Sequence, residues 1–376
     1  MAGLVGPQSS EEQHRLDEQA VLPETVDVNI RQLDPIPAPR AFIKELPITD
    51  EMSKTVLQSR QEIRDVLHGR DNRLLVIVGP CSIHDPKAAL DYANRLKKLR
   101  EEVKDDLLIV MRVYFEKPRT TIGWKGLIND PDLDGQFDIR KGMWLARKVL
   151  RDVVNLGIPT ATEWLDPITP QYLCDLVSWG AIGARNTESQ VHRELASGLS
   201  MPVGFKNSTD GSVKAAADSC YVSGFSHHFL SINLDGRVIS AETKGNPDCH
   251  IVLRGSSSGP NYDRKSVENA LTALKESQAK GPNEHGLVVD CSHGNSGKDE
   301  QRQEQVVREI AVRIAQGERD ITGIMMESFI EAGSQKTAPL SQLVYGKSIT
   351  DKCISWDHTE SLLRELAQSV RQRRTH

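Results

Sequence analysis

Six basic side chains could form a binding site for anions in this sequence of 376 residues. They are Arg112, Lys117, Arg119, Arg185, Lys206 and Arg254. Arg suits bidentate contacts with phosphate or carboxylate, and Lys serves as a point charge. Each cation alone could equally pair with a carboxylate, because a charge at the end of a buried strand needs a partner. Six such cations, with few Asp or Glu residues at the other strand ends, favour a pocket for anions.

Four other residues could hold a metal ion, namely Cys81, His293, Glu327 and Asp351. A thiolate, an imidazole and two carboxylates suit a divalent transition metal such as Mn, Fe, Co or Zn. The alternative is plainer, since a single Cys is usually an inert core residue and a His at a strand end is often only hydrogen-bonded. Spacing alone favours this alternative, so the residues by themselves leave the metal open.

Both groups follow short apolar runs that are typical of buried parallel strands. Eight such runs occupy 74–79, 107–115, 158–165, 181–185, 202–206, 250–255, 286–293 and 321–328. Helix-like stretches separate most of them. Eight strand–helix units predict an α/β fold, the (β/α)₈ TIM barrel, whose active site lies at the carboxyl ends of the strands. The two groups of residues are therefore expected to converge there.

The barrel is expected to form one catalytic domain over residues 46–376, after an N-terminal extension over 1–45. Residues 1–22 are polar and predict disorder, whereas the alternation in 26–39 predicts a short strand and a proline-rich linker. The segment 227–244 interrupts the barrel pattern with two strand-like halves about Asp235 and Gly236. This turn predicts an inserted antiparallel β-hairpin.

Composition argues against several classes of protein. The net charge of −5 gives no reason to expect nucleic acid or an anionic membrane as a partner. No run approaches the roughly eighteen apolar residues of a membrane span, and the acidic N-terminus lacks the features of a signal peptide. The six cysteines are scattered without a CxxC pair, which predicts reduced thiols and a cytoplasmic location.

Several long motifs decide between the alternatives. They include GPCSIHDP (79–86), RVYFEKPRTT (112–121), GARNTESQ (183–190), LRGSSSGPNYD (253–263), VDCSHGNSGK (289–298) and YGKSITD (345–351). Together they resemble type I, aromatic-amino-acid-regulated 3-deoxy-D-arabino-heptulosonate 7-phosphate (DAHP) synthase over about residues 26–376. The resemblance implies a metal-dependent transferase that condenses phosphoenolpyruvate with erythrose 4-phosphate and releases phosphate. This reaction is the first step of the shikimate pathway of aromatic amino acid biosynthesis.

The resemblance also assigns residues, motif by motif. The metal ligands would be Cys81, His293, Glu327 and Asp351. The phosphoenolpyruvate pocket would comprise Arg112, Lys117, Glu163, Gly183, Ala184, Arg185, Lys206 and Arg254. Arg119 and Thr120 fall on the aldose-phosphate site. The implied catalytic residues are Lys117, Glu163 and His293, with Lys117 as a proton donor and Glu163 or a water accepting a proton.

Regulation by Phe, Tyr or Trp is a further implication of the resemblance. The effector residues would be Asp27, Pro170, Gln171, Ser200, Phe229, Ser231 and Ile232. Ser231 narrows the pocket relative to a glycine, which favours Phe over the larger Tyr. Leu234 is a contrary signal, because many regulated relatives have a polar or basic residue there. The family builds this site with a neighbouring subunit, so a homodimer or homotetramer is expected.

Two rival functions follow from the same residues. The 3-deoxy-manno-octulosonate 8-phosphate synthases use arabinose 5-phosphate in similar chemistry, but KPRTT (117–121) differs from their usual aldose-binding motif. A barrel that has lost catalysis and acts as a regulatory partner would lack metal ligands, and all four are present.

Overall fold

The structure, a computed structural model, describes residues 25–119, 123–277 and 286–376. The expectations for residues 1–22 and for Thr120 fall outside these ranges. Contacts divide the chain into a segment that ends at Ile36 and a compact unit from Pro37 to His376. Residues 25–36 of the first segment form turns and irregular chain.

Strands and helices alternate through the compact unit. The strands of the described ranges are β1 (Leu74–Gly79), β2 (Leu107–Arg112), β3 (Thr160–Glu163), β4 (Trp179–Ile182), β5 (Val203–Lys206), β6 (His228–Ile232), β7 (Val238–Glu242), β8 (Cys249–Leu253), β9 (Leu287–Asp290) and β10 (Ile321–Glu327). The helices are α1 (Pro39–Glu45), α2 (Asp50–Leu67), α3 (Pro86–Val103), α4 (Ile139–Asn155), α5 (Pro170–Leu173), α6 (Gln190–Gly198), α7 (Val213–Ser223), α8 (Arg264–Ser277), α9 (His293–Ser296), α10 (Glu300–Ala315) and α11 (Trp356–Arg373). Within these ranges no helix combines the length and the apolar character needed to cross a membrane.

Eight of the strands close into a parallel barrel in the order β1-β10-β9-β8-β5-β4-β3-β2. The predicted TIM barrel is thus confirmed. All six residues of β1 are buried, because the barrel interior covers one face and the helices cover the other. Leu75, Val110 and Trp179 belong to the apolar cluster inside the barrel. Parallel pairing aligns the strand ends, as where Gly79 pairs with Glu327, so residues that follow the strands meet at one end.

Side-chain caps fix where several helices begin. Asp85 accepts a hydrogen bond from the backbone amide of Lys87 at 2.8 Å at the start of α3. Asp138 accepts one from the amide of Lys141 at 2.9 Å at the start of α4, and Asp299 caps α10 in the same way. Such caps satisfy amides that have no partner inside the helix. The caps therefore fix where the loops that follow the barrel strands end and the helices begin.

The predicted hairpin is also confirmed. β6 and β7 form a separate two-stranded antiparallel sheet with Ile232 opposite Val238. β5 pairs directly with β8, so the hairpin is an insertion between two neighbouring barrel strands. Phe229 and Ser231 lie half-buried on one face, whereas Leu230 is 80% exposed on the other.

The short strand expected within 26–39 is wrong. Residues 25–38 contain no strand, and α1 begins at Pro39. Three prolines at positions 35, 37 and 39 lack the N–H groups that a strand ladder requires, which explains the irregular chain.

Helix α1 belongs to the compact unit, although the extension was expected to run to residue 45. Phe42 of this helix is buried, and its ring packs edge-on against Tyr172 with centroids 5.3 Å apart. The hydroxyl of Tyr172 donates to the carbonyl oxygen of Pro37 at 3.0 Å. These contacts place the start of the compact unit at Pro37.

Gly204 on β5 generates a packing prediction. A Cβ atom there would lie 2.5 Å from the Trp179 ring and 2.6 Å from Val252. We expect Gly204→Ala to lower the free energy of unfolding by roughly 2 kcal/mol, because overpacking forces these side chains from their preferred positions. Urea denaturation measures the change. The control is Gly69→Asn, where φ is 70° and the new Cβ meets no atom within 4 Å; equal losses in the two variants would contradict the prediction.

Candidate active site

A cavity of about 250 Å³ opens at the carboxyl ends of the barrel strands. We call it the anion cavity. It is lined by Arg112, Tyr114, Glu116, Lys117, Pro118, Arg119, Glu163, Gly183, Ala184, Arg185, Lys206, Thr209, Arg254, His293, Lys298 and Asp351. Every predicted substrate-binding residue that the structure describes is among them. Seven Lys or Arg face three carboxyl groups, and this excess of positive charge suits an anionic ligand.

Lys206 and Arg254 reach the anion cavity from neighbouring strands. Lys206 ends β5, and its Nζ lies 3.1 Å from Asp290 Oδ2 and 4.0 Å from Glu163 Oε2. Arg254 follows β8, and its backbone amide donates to Asn207 Oδ1 at 2.9 Å. Two buried carboxylates thus hold the ammonium of Lys206, whereas Asn207 holds the backbone of Arg254, whose Nη1 donates to the carbonyl oxygen of Gly255 at 3.3 Å.

The absence of a side chain at Gly183 leaves space for the Glu163 carboxylate. Gly183 follows β4, and a Cβ atom at this position would lie 2.6 Å from Glu163 Oε1. A larger residue would therefore displace the Glu163 carboxylate from its present position. Ala184 and Arg185 continue the turn and line the same side of the cavity.

Arg112 is buried where β2 ends. Its guanidinium carbon lies 3.9 Å from the centre of the Tyr114 ring, a cation–π contact, and its Nη2 lies 3.1 Å from Glu327 Oε1. Tyr114 is itself buried, and no described group is hydrogen-bonded to its hydroxyl. Tyr114 was not among the residues predicted from the sequence. The available signal was its place two residues after Arg112, because alternate residues of an extended chain face the same side.

The structure brings together the four side chains that were named as metal ligands. We call Cys81, His293, Glu327 and Asp351 the donor cluster. One donor atom from each of Cys81, Glu327 and Asp351 lies within 4.8 Å of the other two. His293 is adjacent, with its Nε2 3.7 Å from Glu327 Oε1. Its backbone has a φ of 53°, a left-handed conformation that is uncommon for a side chain of this size.

Lys117 lies against the donor cluster. Its Nζ is 2.9 Å from Cys81 Sγ and 3.2 Å from Asp351 Oδ2. Burial alone would lower the pKa of Lys117, but Cys81, Asp351 and Glu327 raise it above its ordinary value. Burial, followed by Glu327, raises the pKa of the Cys81 thiol. The cluster is thus a place that attracts positive charge.

Asp290, which was not predicted from the sequence, contacts two of the predicted residues. This residue ends β9, is fully buried, and has its Oδ2 2.8 Å from His293 Nδ1 and 3.1 Å from Lys206 Nζ. The ammonium of Lys206 forms an ion pair with this carboxylate, and the imidazole of His293 lies against the same oxygen. Burial would raise the pKa of Asp290, but His293 and Lys206 hold it well below its usual range. The signal in the sequence was an Asp three residues before a candidate ligand His, since such imidazoles often face a carboxylate.

Glu327 is held at both carboxylate oxygens. Arg112 lies at Oε1, and the hydroxyl of Ser292 donates to Oε2 at 2.7 Å. Burial would raise the pKa of Glu327, but His293 and Arg112 lower it. A fully buried carboxylate with these partners has a fixed orientation.

A second cavity of about 590 Å³ lies under the hairpin, and we call it the hairpin cavity. Six of the seven predicted effector residues line it, namely Pro170, Gln171, Ser200, Phe229, Ser231 and Ile232. Leu234 lines it as well. The seventh residue, Asp27, belongs to the 25–36 segment, where its φ is 58° and its carbonyl accepts from the amide of Ile30 at 2.8 Å.

Glu116 contacts elements of both cavities. It lines the anion cavity beside Lys117, and its carboxyl accepts from the amide of Asp166 and the hydroxyl of Thr169, both at 3.2 Å. Thr169 directly precedes α5, which carries Pro170 into the hairpin cavity. Burial, followed by Asp166, raises the pKa of Glu116 to about 8. A neutral carboxyl thus joins the two segments near pH 7.

Known proteins share this architecture. Residues 46–364 match the model of the DAHP synthetase I family. A Phe-sensitive phospho-2-dehydro-3-deoxyheptonate aldolase of Escherichia coli (strain K12) is 52% identical over 348 residues, which cover 93% of this chain and 98% of the relative. The Tyr-sensitive aldolase of the same strain is 50% identical over 345 residues, which cover 92% and 96%.

A solved structure of the phospho-2-dehydro-3-deoxyheptonate aldolase from Francisella tularensis SCHU S4 matches with a TM-score of 0.89 at 48% identity. The match covers 92% of this chain and 99% of that one. Members of the matched family are generally metal-dependent. The chain therefore belongs to the DAHP synthetase I family, the transferases that condense phosphoenolpyruvate with erythrose 4-phosphate at the first step of the shikimate pathway.

Proposed function

We propose that the anion cavity and the donor cluster form one active site for this condensation. The observation that carries the proposal is their junction, because a cavity lined by seven cations adjoins a thiol, an imidazole and two carboxylates. Two phosphorylated substrates require the cations, and a carbonyl electrophile benefits from a Lewis acid. DAHP and inorganic phosphate are the products.

The cations divide between the two substrates. Phosphoenolpyruvate carries a phosphate and a carboxylate, which we assign to Arg112, Arg185, Lys206 and Arg254 at the ends of four strands. Arg119 lies on the loop after β2, where its Nε donates to the carbonyl oxygen of Trp124 at 2.8 Å. We assign Arg119, together with Thr120, to the phosphate of erythrose 4-phosphate. Holding each substrate by its anionic end orients the two reacting carbons towards each other.

The donor cluster fits a divalent transition metal. Its thiol and two carboxylates are close enough to share one ion, and Nδ1 of His293 faces Asp290, which leaves Nε2 as the donor. This mixture of sulfur, nitrogen and oxygen donors suits Mn²⁺, Fe²⁺, Co²⁺ or Zn²⁺. When bound, the ion supplies Lewis acidity for the aldehyde carbonyl.

Lys117 is our proposed proton donor. Its ammonium lies against Cys81 and Asp351 and also lines the anion cavity, so it is within reach of a substrate bound there. There it would protonate the alkoxide that forms when C3 of phosphoenolpyruvate bonds to the aldehyde carbon. Glu163 would accept a proton from the water that adds to C2, and phosphate then leaves from that carbon.

Phosphate release tests the proposed reaction and its rivals. With Mn²⁺, phosphoenolpyruvate and erythrose 4-phosphate, the enzyme should release phosphate, and removal of the ion with a chelator should lower the rate by at least roughly 100-fold until Mn²⁺ is restored. Arabinose 5-phosphate is the matched control and should give no release. Release with arabinose 5-phosphate but not with erythrose 4-phosphate would favour the octulosonate rival. No release with either sugar would favour a non-catalytic barrel.

Lys206→Met tests the anion cavity itself. We expect kcat/KM for phosphoenolpyruvate to fall by roughly 100-fold, because a charge-assisted contact with the substrate is lost. Steady-state kinetics with varied phosphoenolpyruvate measures the change. Lys214→Met is the control, since Lys214 is 75% exposed on α7, where it pairs with Asp218 of the same helix. Equal kinetics in both variants would remove Lys206 from substrate binding.

We infer further that the hairpin cavity binds an aromatic amino acid, with Phe favoured over Tyr. The support is the cavity itself, its narrowing by Ser231, and the E. coli relative that is named Phe-sensitive. Leu234 argues in the other direction. A homodimer or homotetramer is part of this proposal, and sedimentation velocity tests it directly.

Inhibition by each aromatic amino acid tests the effector. Phe should inhibit phosphate release at the lowest concentration, and Ser231→Gly should shift the preference towards Tyr by enlarging the cavity. Ser240→Gly is the control, because Ser240 lies on the exposed face of β7. If Phe, Tyr and Trp all leave the rate unchanged, the effector proposal is wrong.

A further inference from the structure

We propose that Lys298 is a positioning residue for the donor cluster, which fixes both Asp351 and the backbone of His293 for metal binding. This inference rests on the proposed metal site. Lys298 was not among the residues that the sequence analysis named, although it lines the anion cavity.

The first contact is at the Asp351 carboxylate. Lys298 Nζ lies 3.0 Å from Oδ1, whereas Lys117 Nζ lies 3.2 Å from Oδ2, the oxygen that is also 3.9 Å from Cys81 Sγ. The two oxygens therefore have different lysine partners. Asp351 could therefore take part in the donor cluster through the side that faces Cys81 while its contact with Lys298 at Oδ1 is kept. Such outer contacts orient ligating carboxylates.

The second contact is at the turn that carries His293. The backbone amide of Lys298 donates to the carbonyl oxygen of His293 at 2.8 Å. One residue thus connects a donor that follows β9 with a donor that lies beyond β10. These two donors belong to separate chain segments, and Lys298 fixes them relative to each other.

The backbone angle indicates why a lysine stands at this position. Lys298 has a φ of 61°, in the left-handed region, directly after Gly297 with the same φ. A non-glycine residue costs roughly 1 kcal/mol in this conformation, so glycine would be the better choice for folding alone. A lysine at a site that favours glycine is explained if its side chain is used.

The contact of Lys298 with Asp351 is not explained by a contribution to folding stability. The Lys298 side chain is 58% exposed and that of Asp351 is 20% exposed. Ion pairs that reach solvent contribute little to the free energy of unfolding, because water screens them. The value of the contact therefore lies in orienting the carboxylate, and metal affinity is the property that should report it.

Four variants test this role, with Mn²⁺ as the probe. Lys298→Gly and Lys298→Ala remove the side chain, Lys298→Arg keeps the charge, and Lys352→Ala is the matched control. Lys352 adjoins Asp351 in sequence but pairs with Asp299 and Glu300. Equilibrium competition with a chromogenic chelator measures Mn²⁺ affinity without substrates, and thermal unfolding of the metal-free full chain measures stability.

We expect the Gly and Ala variants to bind Mn²⁺ about 10-fold more weakly, the size of effect seen when an outer partner of a ligand is lost. Lys298→Arg should stay within about 3-fold and Lys352→Ala within about 2-fold of the unchanged enzyme. The metal-free Lys298→Gly variant should also melt at the same or a higher temperature, because glycine adopts this φ without strain. Lower affinity with retained stability is a result that a merely structural role would not produce.

Unchanged Mn²⁺ affinity in Lys298→Gly would overturn the inference, and a higher KM for phosphoenolpyruvate with unchanged affinity would assign the side chain to substrate instead. Failure of the proposed function looks different. In that case the unchanged enzyme would bind Mn²⁺ without releasing phosphate, and the affinities of the variants would still decide the role of Lys298. An unchanged enzyme that binds no Mn²⁺ would overturn both.

Discussion

Charge pairing between two buried carboxylates and the cations around them is the constraint on which the site depends. Asp290 and Glu327 end the adjacent strands β9 and β10, and both are fully buried. A lone carboxylate is costly to bury, so the cations Lys206 and Arg112 must remain beside them, and the imidazole of His293 lies against both. The contacts that let the carboxyl end of the barrel fold also aim an ammonium and an imidazole at the cavity. Stability and chemistry therefore share the same groups.

Parallel strand register makes this pairing possible. Each strand ends beside its neighbour, so a residue at the end of one strand meets residues from the next strands at a few ångströms. A shift of one residue would turn each inward side chain to the opposite face. The barrel also sets two charge environments side by side, the cationic lining of the anion cavity and the anionic donor cluster that holds Lys117. That contrast over a short distance is what an enzyme needs to bind anions next to an electrophile.

Much of this arrangement could be predicted from sequence, since the eight strands and the hairpin have distinct apolar patterns. Spacing alone could not decide the donor cluster, because its members come from distant parts of the chain and only the fold brings them together. Lys298 was missed because its carboxylate partner, Asp351, is distant in the sequence. Asp290 is distant from Lys206 in the same way, although its other partner, His293, lies only three residues later. The strand expected within 26–39 failed because alternation was given more weight than the three prolines, which remove ladder donors.

The insertion of the hairpin between β5 and β8 has a consequence for local opening. Its strands pair with each other and β5 pairs with β8, so breaking the hairpin ladder leaves every barrel ladder intact. Backbone amides of β6 and β7 can therefore exchange with solvent deuterium through a local opening, whereas those of β5 and β8 require a much larger disruption. The hairpin and the barrel are therefore expected to open as separate units. The hairpin, which lines the hairpin cavity, should open at the lower free energy.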